Sequence, residues 1–291
     1  MIVPHRVADA AGVARHYDEL DSFYRDVWGE HLHHGYWKTR RESPAAAVEG
    51  LTRELANELS LRPGNTVCDV GCGYGGTSRL LAREFGVRVT GVTVSSSQHQ
   101  YAVQASQDLD SVNYMLCNWL ENDFSDGSFD ALISIECLSH IEDKPRFFQE
   151  VARVLKPGGR AAMAVWLAAP DAGRFSTEYL LRPICEEGRL PGMATSPEVA
   201  SMISEAGLQL DREVEIGRNV RKTWRICARR LAWKVCTQGR YRAVLLDRST
   251  SNRIFALTLF RILTAYQTGA MQYGLFTMSK ALAAPDCEEQ T

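Results

Sequence analysis

The stretch Val67-Cys68-Asp69-Val70-Gly71-Cys72-Gly73-Tyr74-Gly75-Gly76 constrains this chain more than any other. A short buried-strand run, 66–70, ends in an acid and is followed by glycines at 71, 73, 75 and 76. Glycines let the backbone turn tightly and approach a ligand closely, and the helical pattern at 77–85 completes a strand–turn–helix unit. On both sides the same rhythm continues. Val48, Leu51, Leu55 and Leu59 give positions 44–60 a helical period, broken by Pro63-Gly64-Asn65. Strand runs at 87–92, 112–116, 129–135 and 160–167 alternate with helical patterns at 95–107 and 144–155. Strands alternating with helices predict an α/β fold with a parallel sheet covered on both faces.

After Ala168 the rhythm changes. Residues 174–190 read as helix, and 196–206 as a helix with Ser196 at the N-cap and Pro197 at the first helical position. A strand is expected at 208–216, mostly helix at 218–268 and a last strand at 271–280. The whole predicts a doubly wound, seven-stranded, mostly parallel sheet, a Rossmann-like fold with helical cap insertions. By residue range, an N-terminal helical lid occupies 1–43 and a cofactor-binding core 44–167. The cap insertions fall within 168–270, which also holds one core helix and strand (196–216), and 271–291 carry the last strand and tail. Insertions near the carboxyl ends of strands are where such folds build substrate pockets.

The glycine string also satisfies GxGxxG, so a dinucleotide site must be weighed. Asp69 argues against it, because an acid two residues before Gly71 would repel a pyrophosphate but suits an amine or hydroxyls. The second strand also ends in Thr93 and Ser95 rather than in the acid that holds a nicotinamide nucleotide's ribose. These residues resemble the class I S-adenosylmethionine-dependent methyltransferases: DVGCGYGG resembles their first motif, and SFDALISIE with LKPGG later ones. The resemblance covers roughly residues 15–215. It is closer to small-molecule methyltransferases of the tocopherol C-methyltransferase-like group through FYRDVWGEHLHHGYW (Phe23–Trp37), GVTVSSSQ (Gly91–Gln98), ECLSHIEDK (Glu136–Lys144) and ICEEGRLPGMATSPEVASMISEAGL (Ile184–Leu208).

That resemblance implies S-adenosyl-L-methionine as cofactor. It implies that Asp69 and the backbone of Gly71, Cys72 and Gly73 hold its amino-acid end, with Tyr17 and Tyr36 closing over it. Thr93, assisted by Gln98, stands where most of the superfamily has an acid for the ribose hydroxyls. Asn118 takes the usual acid position for the adenine amino group through its amide oxygen, Trp119 packs on the adenine face, and Ile135 completes the cofactor wall.

Chemistry is expected at the end of the fourth strand. Glu136 and His140 are four apart and would share one face of a helical turn, with His140 as base and Glu136 orienting it or touching the acceptor. Tyr24, Trp28 and His34 are candidate pocket residues. The adjacent pair His33-His34 points in different directions, so no shared metal is expected. The resemblance and the apolar lid imply a hydrophobic small-molecule acceptor methylated at carbon or nitrogen of an electron-rich ring or prenyl-related natural product. A hydroxyl acceptor, and a cyclase that keeps the fold without methyl transfer, are the alternatives.

Charge completes the reading. The 291 residues carry 33 Lys and Arg against 35 Asp and Glu, a net charge of −2, so no global field recruits nucleic acid. Nine of the basic residues, Arg218, Arg221, Lys222, Arg225, Arg229, Arg230, Lys234, Arg240 and Arg242, fall within 218–242 with no acid among them. Val220, Trp224, Cys227, Leu231 and Val235 supply the apolar face of an amphipathic helix there. Such a helix presents a solvated outer face, an anionic-substrate site or a peripheral membrane contact. The eight cysteines form no CxxC pair. No apolar signal core occurs in Met1–Gly12, and no apolar run is long enough to cross a bilayer. These features predict reduced thiols, no metal and a cytoplasmic location.

Overall fold

The computed structural model describes residues 1–239, 241–242 and 252–282. Among these, seven strands form one sheet in the order β3-β2-β1-β4-β5-β7-β6. The strands are β1 (Thr66–Val70), β2 (Arg88–Thr93), β3 (Val112–Leu116), β4 (Phe129–Ile135), β5 (Leu155–Ala168), β6 (Leu208–Glu215) and β7 (Met271–Lys280). The first five run parallel, and β7 enters antiparallel between β5 and β6. The apolar runs read as strands are buried on both faces: Val67, Cys68, Val70, Leu132 and Ile133 are all inaccessible.

Helices α3 (Pro44–Glu58), α4 (Gly76–Phe85), α5 (Ser96–Ala105) and α6 (Lys144–Val154) cover the sheet. Their starts follow ordinary capping chemistry. Ser43 caps α3 ahead of Pro44, Ser95 caps α5, and Asp143 caps α6. The apolar period read in 44–60 buries Leu51 and Leu55 against the sheet. The lid consists of α1 (Ala10–Glu19) and α2 (Asp21–Val27).

The cap rises from two insertions. The first contains α7 (Arg174–Ser176), a π-helical turn (Thr177–Leu181) and α8 (Arg182–Glu187). The second contains α10 (Gly217–Val220), α11 (Lys222–Thr237) and α12 (Asn252–Thr268). Between them lies α9 (Ser196–Glu205), where the expected N-cap is corrected by one residue. Thr195 caps this helix in a reciprocal pair with Glu198, so Ser196 already has helical geometry. Arg240, one of the nine basic residues, lies outside the described residues, as does Cys287. No helix of the described residues is long and apolar enough to cross a membrane.

The glycine turn is set by contact as well as by dihedral angle. Gly71, Gly73 and Gly75 have φ of +79°, +54° and +75°. A Cβ on Gly75 would stand 2.2 Å from the Tyr114 hydroxyl, which is held by Ser106 at 3.0 Å. Gly75→Ala should therefore cost about 3 kcal/mol of stability through backbone strain and overpacking. Urea unfolding checks this, and a change within about 0.5 kcal/mol would contradict it.

Candidate active site

A cavity of about 1240 Å³ opens over the carboxyl ends of β1, β2 and β4, beneath the lid and the cap. One half is lined by Gly71, Gly73, Thr93, Gln98, Asn118, Trp119 and Ile135. The other is lined by Tyr24, Trp28, His34, Trp166, Trp224 and Ile262. In the first half the residues fit an S-adenosyl cofactor. A Cβ on Gly73 would meet nothing within 4 Å, so the backbone itself borders open space. Thr93 Oγ1 donates to Gln98 Oε1 at 2.8 Å, which leaves the Gln98 amide N–H groups for hydroxyls of a ribose.

Asp69 lies behind the turn. Its carboxylate accepts from Ser78 at 2.6 Å and borders a small cleft that shares Gly71, Gly73 and Ile135 with the main cavity. Burial raises its pKa to about 7 despite the Ser78 hydrogen bond. A buried acid of this kind matches a cationic partner.

The lid is fastened over the cofactor half by Asp18, Tyr17 and Asp21, the last accepting from the Tyr74 hydroxyl of the glycine turn at 2.7 Å. Asp18 on α1 accepts from Ser95 Oγ at 2.6 Å, Ser96 Oγ at 3.0 Å and the Ser97 main-chain N–H at 3.1 Å. It thus caps the N-terminus of α5 from another element, and these hydrogen bonds hold its carboxyl below the usual range although burial opposes them. One residue earlier, the Tyr17 hydroxyl meets His140 Nε2 at 2.9 Å.

Glu136 forms the floor between the two halves. Its φ of +59° places a non-glycine residue in the left-handed region, turning the side chain away from the strand direction of β4. Oε1 accepts from the His34 main-chain N–H at 2.7 Å, His34 Nδ1 at 2.7 Å and Tyr273 at 2.8 Å, and Oε2 accepts from Trp166 Nε1 at 2.7 Å. Burial works to raise its pKa, but His34 and these donors more than reverse that and hold the carboxyl ionised. Trp224 Nε1 donates to His34 Nε2 at 2.6 Å. An indole N–H only donates, so His34 Nε2 must supply a lone pair and the ring proton sits on Nδ1. Around this pair the aromatic rings meet edge to face: His34–Trp166, His34–Trp224 and Trp28–Trp224 centroids lie 5.5, 5.5 and 5.6 Å apart.

His140 is different in kind. It sits half-buried in a 3-10 turn (Leu138–His140) after β4, with Nε2 held by Tyr17. Its Nδ1 is buried without a hydrogen-bond partner. Burial, then the neighbouring His16, lowers its pKa to about 4, with the Arg189 main chain working the other way, so the imidazole is neutral at neutral pH. His16, held by the Tyr24 hydroxyl at 2.9 Å, is likewise lowered to about 4 by burial and Arg189.

Several expectations are corrected. Glu136 does not orient His140: its oxygens are used by His34, Trp166 and Tyr273, and Tyr17 holds the imidazole instead. Tyr36 does not line the cavity; its main chain pairs with Ala47 and its hydroxyl faces the charge of Glu54 on α3. Cys72 packs against Tyr114 and Ala102, under the turn rather than in the main cavity. Asn118 Oδ1 is engaged by the Leu120 main-chain N–H at 3.1 Å, capping the turn that carries Trp119. The Trp119 indole donates to the Phe147 carbonyl at 3.3 Å, which fixes its ring in the wall.

The cavity also takes residues that the local sequence did not single out: His16 from the lid, Trp166 from β5, and Thr258 and Ile262 from α12. Trp224 was read only as part of an apolar helix face, and the signal for its second role is its indole N–H, which needs a buried acceptor. His33 Nδ1 donates to the His34 carbonyl at 2.9 Å, and no metal-holding cluster occurs among the described residues.

Known proteins are similar to this chain in sequence and in fold. The family described as mycolic acid cyclopropane synthetase matches residues 5–268. Tocopherol O-methyltransferase from Arabidopsis thaliana is 29% identical over 93% of this chain and 82% of its own. The O-methyltransferase resE from Aspergillus sclerotiorum is 36% identical over 73% of this chain and 81% of its own. Among solved structures, mycolic acid cyclopropane synthase CmaA1 complexed with SAH and CTAB superposes with a TM-score of 0.83 at 22% identity, covering 96% of this chain and 99% of that one.

Two outcomes follow from the lid contacts. Asp18→Ala should weaken S-adenosylhomocysteine binding roughly tenfold, as expected for losing charge-assisted hydrogen bonds at a partly exposed site. Calorimetry reads it, and an unchanged affinity contradicts a lid that acts on the cofactor half. His140, held near 4 when folded against 6.5 when free, resists protons that the unfolded chain accepts. Its stabilising contribution is therefore lost as pH falls from 6.5 towards 4. Between pH 7 and pH 5 wild type should lose about 2 kcal/mol more than His140→Gln in urea unfolding. Equal losses would show that the ring titrates freely.

Proposed function

Because the chain belongs to the mycolic acid cyclopropane synthetase family and is a class I S-adenosylmethionine-dependent methyltransferase of small molecules, we propose that it methylates a hydroxyl on a hydrophobic, ring-bearing acceptor, with His140 as the base. The observation that carries this reading is the buried Nδ1 of His140, which makes no hydrogen bond although the Arg189 main chain lies close by, in a cavity whose acceptor half Trp28, Trp166, Trp224 and Ile262 help to line. A buried polar atom without a partner is costly, and an acceptor O–H would satisfy it. A carbon centre, one of the expectations from the lid and the motifs, offers Nδ1 no hydrogen bond of its own in the ground state, whereas a nitrogen centre offers one only where it carries an N–H. The printed activities of the tocopherol and resE relatives favour the hydroxyl as well.

Bound S-adenosylmethionine supplies a methyl group on positively charged sulfur and leaves as a neutral thioether. Gly71, Gly73, Thr93, Gln98, Asn118 and Trp119 are the residues that would hold it, and Asp69 the acid that would face its ammonium. With the Nε2 proton donated to the Tyr17 oxygen, His140 Nδ1 offers a lone pair. An acceptor hydroxyl seated against it would pass its proton to Nδ1 as its oxygen takes up the methyl group that the bound cofactor would supply. A neutral imidazole of low basicity suits this order of events, because proton transfer becomes favourable only as the oxygen develops positive charge. The Tyr24, Trp28, Trp166 and Trp224 rings exclude water and hold a flat apolar ring, and Glu136 keeps His34 and two of those indoles in place.

The test is transfer of labelled methyl to phenolic and other hydroxyl-bearing acceptors, followed by mass spectrometry. His140→Gln should lower kcat by roughly 100-fold or more with cofactor affinity within about threefold of wild type. Label on ring carbon or nitrogen, or unchanged kcat in the variant, would remove His140 from the chemistry. Cofactor binding with no transfer to any acceptor would support the cyclase alternative.

A further inference from the structure

The outer face of α11 is not explained by the cavity. Arg221, Arg225 and Arg229 repeat every four residues, all exposed, and Trp233 continues the spacing with 62% of its surface open. Arg218, one turn earlier in α10, projects on the same side by helical spacing. A second segment joins this stripe. The Trp37 main chain donates to the Asn219 carbonyl at 3.0 Å, Lys222 Nζ donates to the Arg40 carbonyl at 3.3 Å, and the Lys222 ammonium lies 5.1 Å over the Trp37 ring. These contacts set exposed Arg40 and Arg41 beside the start of α11. The nearby acid is withdrawn: Glu42 turns back onto Thr39. Among the described residues none of Arg40, Arg41, Arg218, Arg221, Arg225 and Arg229 has a carboxylate partner, whereas Lys234 pairs with Asp26. Helix α12 packs on α11 and exposes Phe260 and Leu257.

We propose that α11, with Arg40 and Arg41, is a docking surface for an anionic lipid bilayer. Unpaired arginines on one helical face supply attraction to acidic headgroups. An exposed tryptophan at the end of that face has the amphipathic ring that settles at the headgroup level. A nucleic acid would use the arginines but gives no role to lone exposed apolar side chains on α11 and α12. The same two helices carry Trp224, Thr258 and Ile262 into the cavity on their inner sides. Docking thus sets the acceptor wall against the bilayer; that benefit rests on the hydrophobic acceptor proposed above, while the binding does not.

Co-sedimentation with vesicles of phosphatidylcholine alone, and with about 30% phosphatidylserine, tests this directly. Wild type should bind the anionic vesicles, ignore the neutral ones, and be released as salt is raised to about 0.5 M. Each arginine near such a surface is worth roughly fivefold in partitioning, so Arg221→Glu/Arg225→Glu/Arg229→Glu should bind at least roughly 100-fold more weakly. Trp233→Ser should lose several-fold while keeping its salt dependence. An unchanged melting temperature and unchanged S-adenosylhomocysteine affinity establish that the variants are folded. Equal binding to both vesicle types, no binding to either, wild-type binding by the triple variant, or arginine-dependent binding to RNA in preference to vesicles would each overturn the proposal.

Discussion

The ionised carboxylate of Glu136 is the contact on which the architecture around the cavity depends. It joins the end of β4 to the N-terminal strap through His34, to β5 through Trp166 and to β7 through Tyr273, and His34 extends the network to Trp224 of α11 and Tyr266 of α12. A buried charge is tolerated only when its hydrogen bonds are made, so these partners are mutually required. Sequence-distant pieces of lid, sheet and cap are thereby fixed in one arrangement. Glu136 itself is committed to four hydrogen bonds, three on Oε1 and one on Oε2, that tie these elements together.

The division of labour follows. His34 and Glu136 form a closed pair whose protons are fixed by their neighbours. His140, a few residues on, is held at one nitrogen and open at the other. The two histidines differ in what surrounds them and in depth, since His34 is buried and His140 is half-buried at the cavity. The lid contributes to each arrangement: residue 34 completes one, and Tyr17 completes the other.

The fold was legible because period and punctuation agree along the core. Val67–Val70, the glycines after them and the apolar faces of α3 and α6 each point to the same doubly wound sheet. The glycine-turn half of the cavity was readable in part, since Gly71 and Gly73 lie in the turn after β1, Thr93 ends β2 and Gln98 opens the helix that follows it. Trp166 of β5 and Trp224 of the cap were not, because their place beside His34 depends on pairings across more than a hundred residues. Tyr36 and the Glu136–His140 pairing failed for a related reason. A four-residue spacing implies a shared face only in a helix, and Glu136 has left-handed geometry at the end of a strand.

The antiparallel entry of β7 has a consequence for how such a chain can diversify. Ala168 pairs with Met271, and Glu215 with Gly274, so β5 and β6 finish at the end of the sheet where β7 begins. Both insertions therefore leave and rejoin the scaffold along one rim. Segments there can lengthen, shorten or be exchanged without shifting the register of any strand or disturbing the glycine turn. The part of the acceptor half that the insertions build is in this sense an exchangeable head on a fixed handle, while His34 and Trp166 stay with the handle.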